Sequence, residues 1–414
     1  LNQEHLPWPG VNPVTAIDTD LVTPLGAYLH LREHGRAAFL LESVERGRLG
    51  RYSLVGCGDR LATFEEAEAL DEPVVGYLAY DHVAKLEPTV PLPEAGAGLP
   101  ESRFVVADVL VSFDHARGVG EVLAGPSDLR LDDGPAPTSA GHRAHATQRF
   151  PDAAAYMRGV ETCKEHIRRG DAFQIVLSQR AERRTDVSAV ELYRSLRRVN
   201  PSPYLFLLEL DGIALVGSSP ETLVKREGQR ASVNPIAGST TPGEGDAERL
   251  LTSDKDRAEH VMLVDLGRND LSRVCVPGTV KVERFLEAER FSHITHLVSE
   301  VAGELQDGVS SFDLLRATFP AGTVSGAPKV RAMQIISELE GYRRGPYAGA
   351  VLYSLPDGPL DACIAIRTVV LHEGRALLQA GAGIVAESDP HAEHEECLRK
   401  LAALEAAVDL AEAR

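Results

Sequence analysis

The order of elements along the chain predicts an α+β fold built on large antiparallel sheets. Strand-like stretches come in runs, helical stretches are inserted in clusters instead of alternating strictly with strands, and no internal repeat or low-complexity tail points elsewhere. With 414 residues, 43% hydrophobic and 25% charged, the chain has the makeup of a globular protein large enough for a continuous core.

The elements follow in order. Pro24 to Arg36 reads as a short helix, Ala37 to Ser43 as a buried strand, and Gly50 to Gly58 as a strand ending in a glycine turn. Val74 to His82 carries small and aromatic residues suited to close packing, and Phe104 to His115 reads as one long strand. A stretch rich in Gly, Pro, Ser and Asp, Gly125 to Gly141, separates an N-terminal region, 1–145, from a second region, 146–414. Asp152 to Gly170 is an amphipathic helix with Asp152 as its cap and Tyr156, Val160, Cys163 and Ile167 on one face. Phe173 to Arg184 is a strand and Val187 to Val199 a helix, followed by the strands of NPSPYLFLLEL, IALVGSS and TLVKREGQRASV. Helices near Asp254 to Leu266 and Pro328 to Leu339 alternate with further strands, IAIRT among them, which puts Arg367 in mid-strand. The last helix starts at Asp389 as N-cap with Pro390 at its first position, and buries Cys397, Leu401, Leu404, Val408 and Ala411.

A formal charge of -18, from 43 basic and 61 acidic residues, argues against nucleic-acid or anionic-membrane partners but not against a small anionic substrate. The five cysteines are widely spaced with no C-x-x-C pair, which predicts a reducing, cytoplasmic setting. No apolar run is long enough for a membrane span, and LNQEHLPWPG has neither the basic nor the apolar region of a signal peptide.

Chemistry concentrates in two acidic pairs. Asp256 and Glu259, and Glu393 and Glu396, each sit three residues apart on a helix, either as solvated faces or as halves of a divalent-cation site. Mg²⁺ takes oxygen ligands, often one or two carboxylates plus the substrate's own anion. Glu259 and Glu396 are the predicted ligands, with Asp256 and Glu393 holding metal-bound water. Thr323, Ser325 and Lys329 at a helix start could hold a carboxylate, AGAGIVA offers bare backbone N–H groups, and Arg367 needs a partner. Together these describe a pocket for a small dicarboxylate bound partly through Mg²⁺.

FQIVLSQR, NPSPY, GSSPETL, NPIAGS, AEHVMLVDLGRND, ERFSHITHLVSEV, FPAGTVSGAPKVRAM, RRGPYAGAV, IAIRT and QAGAGIVAESDP follow one another in the order found in chorismate-utilising enzymes. The chain resembles these from about Asp18 onward, most closely anthranilate synthase component I. The resemblance implies a sandwich of large antiparallel sheets with helices packed outside. It implies Mg²⁺-dependent amination of chorismate at C2, then loss of pyruvate to give anthranilate for tryptophan biosynthesis. Glu221 would be the acid that protonates the departing C4 oxygen, and His296 would support the elimination, with His293 structural. Gln174 stands where relatives that activate water resemble KVVLSR with a basic Lys, and Ala237 stands where the para-aminobenzoate branch has a nucleophilic Lys. Both point to ammonia as nucleophile. Ala237, Gly238, Ser239, Thr323, Lys329, Tyr347, Arg367, Gly381, Ala382 and Gly383 would bind substrate.

The stretch PIAGSTTPGEG departs from the family's PIAGTRPRG, and the link between Phe64 and Val74 is short. None of the cysteines lies in a G-x-C-x-G motif, so the resemblance implies a separate glutamine amidotransferase subunit, hence a hetero-oligomer, with free ammonia as fallback. LLES and NPSPYL resemble a tryptophan feedback site, which Leu41, Glu42, Ser43, Pro203, Tyr204 and Leu205 would line. The enzymatic alternative is a 2-amino-2-deoxyisochorismate synthase that retains the pyruvyl ether.

Overall fold

The protein is described from a computed structural model covering residues 13–19, 21–45, 48–135, 142, 145–240, 243, 245–290, 295–356 and 358–413. Among these residues the strands form a twelve-stranded and a ten-stranded sheet, and their pairings are antiparallel. The larger sheet runs Thr15–Asp18, Val119–Ala124, Val109–Asp114, Arg48–Gly58, Ala37–Glu45, Tyr204–Leu210, Ile213–Ser219, Thr368–His372, Arg375–Ile384, Gln174–Arg184 and Gly326–Ala327, with Gln148–Phe150 also on Gln174–Arg184. The smaller runs Ile236–Thr240, Thr295–Glu304, Arg230–Val233, Thr222–Glu227, Leu360–Ile364, Ala350–Ser354, Val74–Leu78, Ser102–Val106 and Leu61–Ala62, with Lys281–Arg290 also on Thr295–Glu304. Both sheets therefore draw strands from residues on either side of position 145.

Three apolar layers explain the stacking. Phe39, Leu110 and Phe206 from the larger sheet meet Val75, Tyr77 and Val351 from the smaller one in a core between the sheets. On the outer face of the larger sheet, Leu192 and Leu196 of the helix Ala189–Val199 and Leu401, Leu404 and Val408 of the helix Pro390–Glu412 cover Leu40, Leu207 and Val216. On the outer face of the smaller sheet, Val264 and Leu271 of Asp254–Ser272 and Phe312 and Leu315 of Ser311–Thr318 cover Val224, Val301 and Leu352. Successive strand residues point to opposite faces and both faces are covered, so strands such as Ile213–Ser219 and Val74–Leu78 are buried throughout, giving this helix–sheet–sheet–helix order. The predicted α+β sandwich with helices outside is the architecture observed.

The predicted caps are formed. Asp152 accepts from the Ala155 amide at 2.8 Å and Asp389 from the Ala392 amide at 2.9 Å, each holding one of the N–H groups a helix start leaves without a partner. Of the predicted linker, residues 136–141 lie outside the described residues, and Asp133 bonds the Thr23 amide at 3.2 Å.

Two strands differ from expectation for one reason. Phe104 to His115 is not one strand: Ser102–Val106 belongs to the smaller sheet and Val109–Asp114 to the larger, with the chain switching sheets at Ala107 and Asp108. Likewise Arg367 is not in mid-strand but in the break between Leu360–Ile364 and Thr368–His372, at φ +50°, where the chain again changes sheets. An apolar run reads the same whether or not a layer change interrupts it, so periodicity could not reveal either break.

Candidate active site

Sheet switching also builds the site. The chain leaves the larger sheet after Ile213–Ser219 and enters the smaller one at Thr222–Glu227, and Glu221 sits in that crossover. Its carbonyl accepts from the Ile364 amide at 3.0 Å, and the Arg367 carbonyl accepts from the Ser218 amide at 3.1 Å, so the two crossovers are tied together. Glu221 and Arg367 line one cavity of about 360 Å³.

The cavity also takes Gln174 and Val176, Ala237 and Gly238, Glu259, His296, Thr323 and Val324, Tyr347, Gln379, Gly381, Gly383, Glu396 and Lys400 into its lining. Most of the residues chosen from sequence thus converge here from segments more than two hundred positions apart. The glycines have a steric reason. A Cβ on Gly383 would lie 2.6 Å from Gln174 Nε2, and one on Gly381 would lie 2.8 Å from the Tyr347 hydroxyl. Gly383 thus leaves room for Gln174 on the neighbouring strand, and Gly381 for Tyr347.

Burial sets the electrostatics. Glu221 is 7% exposed, and burial pushes its carboxyl up to about 8, against the Thr323 hydroxyl, the Ile236 amide and the Arg367 charge, which pull it down. It is therefore protonated at neutral pH. Burial lowers the guanidinium of Arg367, with Glu221 opposing. Among the described residues no carboxylate forms an ion pair with Arg367, whose Nη1 has the Ser202 hydroxyl at 3.5 Å. A half-buried cation on a cavity wall is suited to an anionic ligand.

His296 lies on Thr295–Glu304, opposite a register shift between Ala237 and Ser239. Its Nδ1 is 3.0 Å from the Gly238 carbonyl, which can only accept, so Nδ1 carries the proton and Nε2 the lone pair. Burial lowers its pKa, and the imidazole is neutral at pH 7. Gln174 donates from Nε2 to Glu259 Oε1 at 3.1 Å, placing an amide, which cannot take a proton at neutral pH, on the cavity wall.

Glu259 and Glu396 reach the cavity from separate helices. Glu396 Oε1 accepts from Lys400 Nζ at 2.8 Å, and Lys400 also donates to the Gly381 carbonyl at 2.7 Å. Two carboxylates beside space for an anionic substrate suit Mg²⁺, which completes its oxygen shell with water and substrate, and no group of three or more His, Cys, Asp or Glu that could hold a metal occurs among the described residues. Glu393 is 7% exposed and accepts from the Ser388 hydroxyl at 2.7 Å. The Asp256 and Ser239 side chains and His293 lie outside what is described.

Three expectations are corrected. Lys329 does not line the cavity: its Nζ bonds Asp270 at 2.7 Å and the two side chains are 13% and 9% exposed. Ser325 donates to the Ala321 carbonyl at 2.8 Å. Ala382 packs among Leu177, Ile384 and Cys397, because alternate residues of Arg375–Ile384 face opposite sides, so that Gln379, Gly381 and Gly383 line the cavity and Ala382 does not. Lys400 was missed, although its i, i+4 spacing from Glu396 on a helix could have found it.

At a second place, Ala37–Glu45 and Tyr204–Leu210 are neighbouring strands, with Ser43 opposite Tyr204 and Glu42 opposite Leu205. Leu41 and Pro203 are half-buried there and Leu205 is buried. Glu42 is 3% exposed, accepts from the Tyr193 hydroxyl and has Arg197 Nη1 at 3.4 Å. Ser43 donates to the Tyr52 carbonyl at 3.0 Å, and the Tyr204 hydroxyl meets Thr222 at 2.7 Å and Asp361 at 3.0 Å.

Comparison with known proteins places this geometry. Residues 34–406 match the family described as chorismate binding enzyme. The chain is 42% identical to anthranilate synthase component 1 of Thermus thermophilus, covering 95% of this chain and 97% of that protein. It is 44% identical to anthranilate synthase component 1 of Streptomyces coelicolor, covering 95% and 88%. The crystal structure of anthranilate synthase component I from Streptococcus pneumoniae superposes with a TM-score of 0.76 at 32% identity, over 98% of this chain and all of that one. The menaquinone-specific isochorismate synthase of Escherichia coli, at 21% identity and a TM-score of 0.78 over 97% and 95%, shares the fold.

Proposed function

Because the chain belongs to the chorismate-binding enzymes, we propose that it is an anthranilate synthase component I, aminating chorismate at C2 and releasing pyruvate. The observation that carries this is Gln174, which puts an amide pinned to Glu259 where activation of water would need a base. Ammonia arrives with its own lone pair and needs none.

The reaction balances as follows. The ammonia nitrogen bonds to C2, the conjugated double bonds shift, and the C4–O bond breaks. Protonated Glu221 supplies the proton that lets this oxygen leave as water. The amine loses its extra proton. The C2 proton then goes to a base, for which His296 Nε2 is suited, and the C3–O bond to the enolpyruvyl group breaks. The enolpyruvate takes up a proton and becomes pyruvate, while the ring becomes aromatic. Arg367 and Lys400 hold the substrate's carboxylates, and Tyr347, Thr323 and the backbone of Ala237, Gly238, Gly381 and Gly383 shape the walls.

Glu259 and Glu396 would hold Mg²⁺, with Asp256 and Glu393 supporting its waters. When bound, the ion supplies positive charge to the substrate carboxylate. The N-terminal region, 1–145, contributes Leu41, Glu42 and Ser43 to a tryptophan feedback site completed by Pro203, Tyr204 and Leu205. Ammonia comes from a glutamine amidotransferase subunit, making the working enzyme a hetero-oligomer. The five buried free cysteines suit the reducing cytoplasm, and no helix among the described residues is long and apolar enough to cross a membrane.

Product analysis after incubation with chorismate, Mg²⁺ and ammonium tests the reading. Anthranilate and pyruvate in equal amounts support it, whereas aminodeoxyisochorismate without pyruvate would assign the chain to the non-eliminating alternative. Glu259→Gln and Glu396→Gln are each expected to remove Mg²⁺-dependent turnover, and activity retained in both would refute the metal assignment.

A further inference from the structure

Arg344 and Glu340 form a charged pair that does not itself line the cavity. The side chain of Arg344 is 1% exposed and that of Glu340 7%, and they bond twice, Nη2 to Oε1 at 2.6 Å and Nε to Oε2 at 2.8 Å. A buried ion pair of this kind is weak support for stability, since apolar residues of similar volume often serve as well. What distinguishes it is where its remaining bonds go.

Arg344 Nη1 donates to the Val324 carbonyl at 2.7 Å and Nη2 to the Val176 carbonyl at 2.8 Å. Val324 belongs to the turn that carries Thr323, and Val176 follows Gln174 on its strand. Glu340 Oε1 accepts from the Ser178 amide at 2.9 Å and hydroxyl at 2.7 Å, and that hydroxyl in turn accepts from Gln379 at 2.7 Å. Val176, Val324 and Gln379 line the cavity, as does Tyr347, whose ring centre lies 5.5 Å from the guanidinium. From the turn Tyr80–His82, Asp81 holds the backbone amides of Arg344 at 3.2 Å and Gly345 at 2.9 Å, and the Tyr80 ring centre lies 4.6 Å from the guanidinium.

We propose that Arg344 is a positioning residue: together with the bond from the Val176 amide to the Ser325 carbonyl at 3.0 Å, its planar guanidinium fixes the Gln174 strand against the Thr323 turn, and so aligns the incoming ammonia with Glu221 without meeting substrate. The inference rests on the function proposed above. Arginine is needed because one rigid fork reaches both carbonyls and a carboxylate together, which the point charge of lysine cannot do. Arg367 and Lys400, the cations that face the substrate, sit on elements to which Arg344 makes no hydrogen bond. The clamp should therefore govern turnover more than substrate capture.

The test is steady-state kinetics with chorismate, Mg²⁺ and ammonium on wild type, Arg344→Lys, Arg344→Met and Glu340→Gln, with thermal melting of each. Arg344→Lys is expected to melt cooperatively, to lose about tenfold or more in kcat, and to keep KM for chorismate within about threefold. Glu340→Gln, which keeps an oxygen towards Arg344 and Ser178, should lose less, about threefold in kcat at unchanged KM. If Arg344→Met does not fold, the other two variants carry the test. Unchanged kcat, or kcat and KM worsening together as in a general loosening, would overturn the clamp. A wild type that forms no anthranilate would overturn the functional reading instead.

Discussion

Glu221 and Glu42 are both carboxylates buried in this sandwich, and they differ in what surrounds them. Glu42 is enclosed by protein, with the Tyr193 hydroxyl and Arg197 fixed against it. Glu221 faces a cavity of about 360 Å³ across from Arg367. Burial raises the pKa of each, and Glu221 also lines space for a molecule to which its proton could go. Burial makes a carboxyl acid available at neutral pH, and an adjoining space makes it useful.

The largest effect that would break this contrast is at Glu221. Glu221→Gln should lower kcat by about 10² to 10⁴ while leaving a cooperative melt, because it removes the acid and keeps the shape. A variant with near-normal turnover would show that the acid lies elsewhere. The same contrast sets the pH response. Since the folded-state value is raised to about 8, Glu221 is protonated at pH 7 and loses its proton as pH rises through about 8. At a fixed concentration of neutral ammonia, kcat should fall about tenfold per pH unit above that point. The raised value also means that the folded chain binds a proton the unfolded chain has released, so stability should decline from the ordinary carboxylate range up to about pH 8. Glu221→Gln should flatten that decline in urea titrations at several pH values.

Smaller effects sharpen the other side. If Glu42 and Ser43 help to hold tryptophan, then tryptophan at a hundred times its dissociation constant should stabilise the fold by about 2.7 kcal/mol, seen as a higher melting temperature. No rise, together with no change in activity, would remove the feedback proposal. Smallest, Glu42→Gln should cost about 1 kcal/mol by weakening the bonds to Tyr193 and Arg197. A loss of kcat comparable to that at Glu221 would mean that the two carboxylates are not separate in role.

Much of this was legible in the sequence, for identifiable reasons. Asp389, Pro390 and the stripe Cys397, Leu401, Leu404, Val408 and Ala411 specify the last helix locally, and all five stripe residues are buried. Glu259, Glu396, Glu221 and His296 fall on one cavity, as the ordered motifs implied, although spacing alone left the acidic pairs open to a solvated reading. What could not be read was anything decided by a change of layer or by a partner far along the chain. Whereas Ala382 was open to correction from strand alternation alone, Arg367 in a crossover and Lys329 taken by Asp270 are two such cases. Arg344 is another: in RRGPYAGAV it looks like a surface cation, and only the fold brings Val176, Val324 and Glu340 around it.

The sharing of both sheets by early and late residues also bears on how the chain must be made. Ala37–Glu45 waits for Tyr204–Leu210, and Val74–Leu78 waits for Ala350–Ser354, each pairing across well over a hundred residues. During synthesis at roughly 5 to 20 residues per second, the first strands leave the ribosome many seconds before their partners exist. Their apolar faces and open edges stay without these partners meanwhile, and non-local pairing is the step expected to be slow.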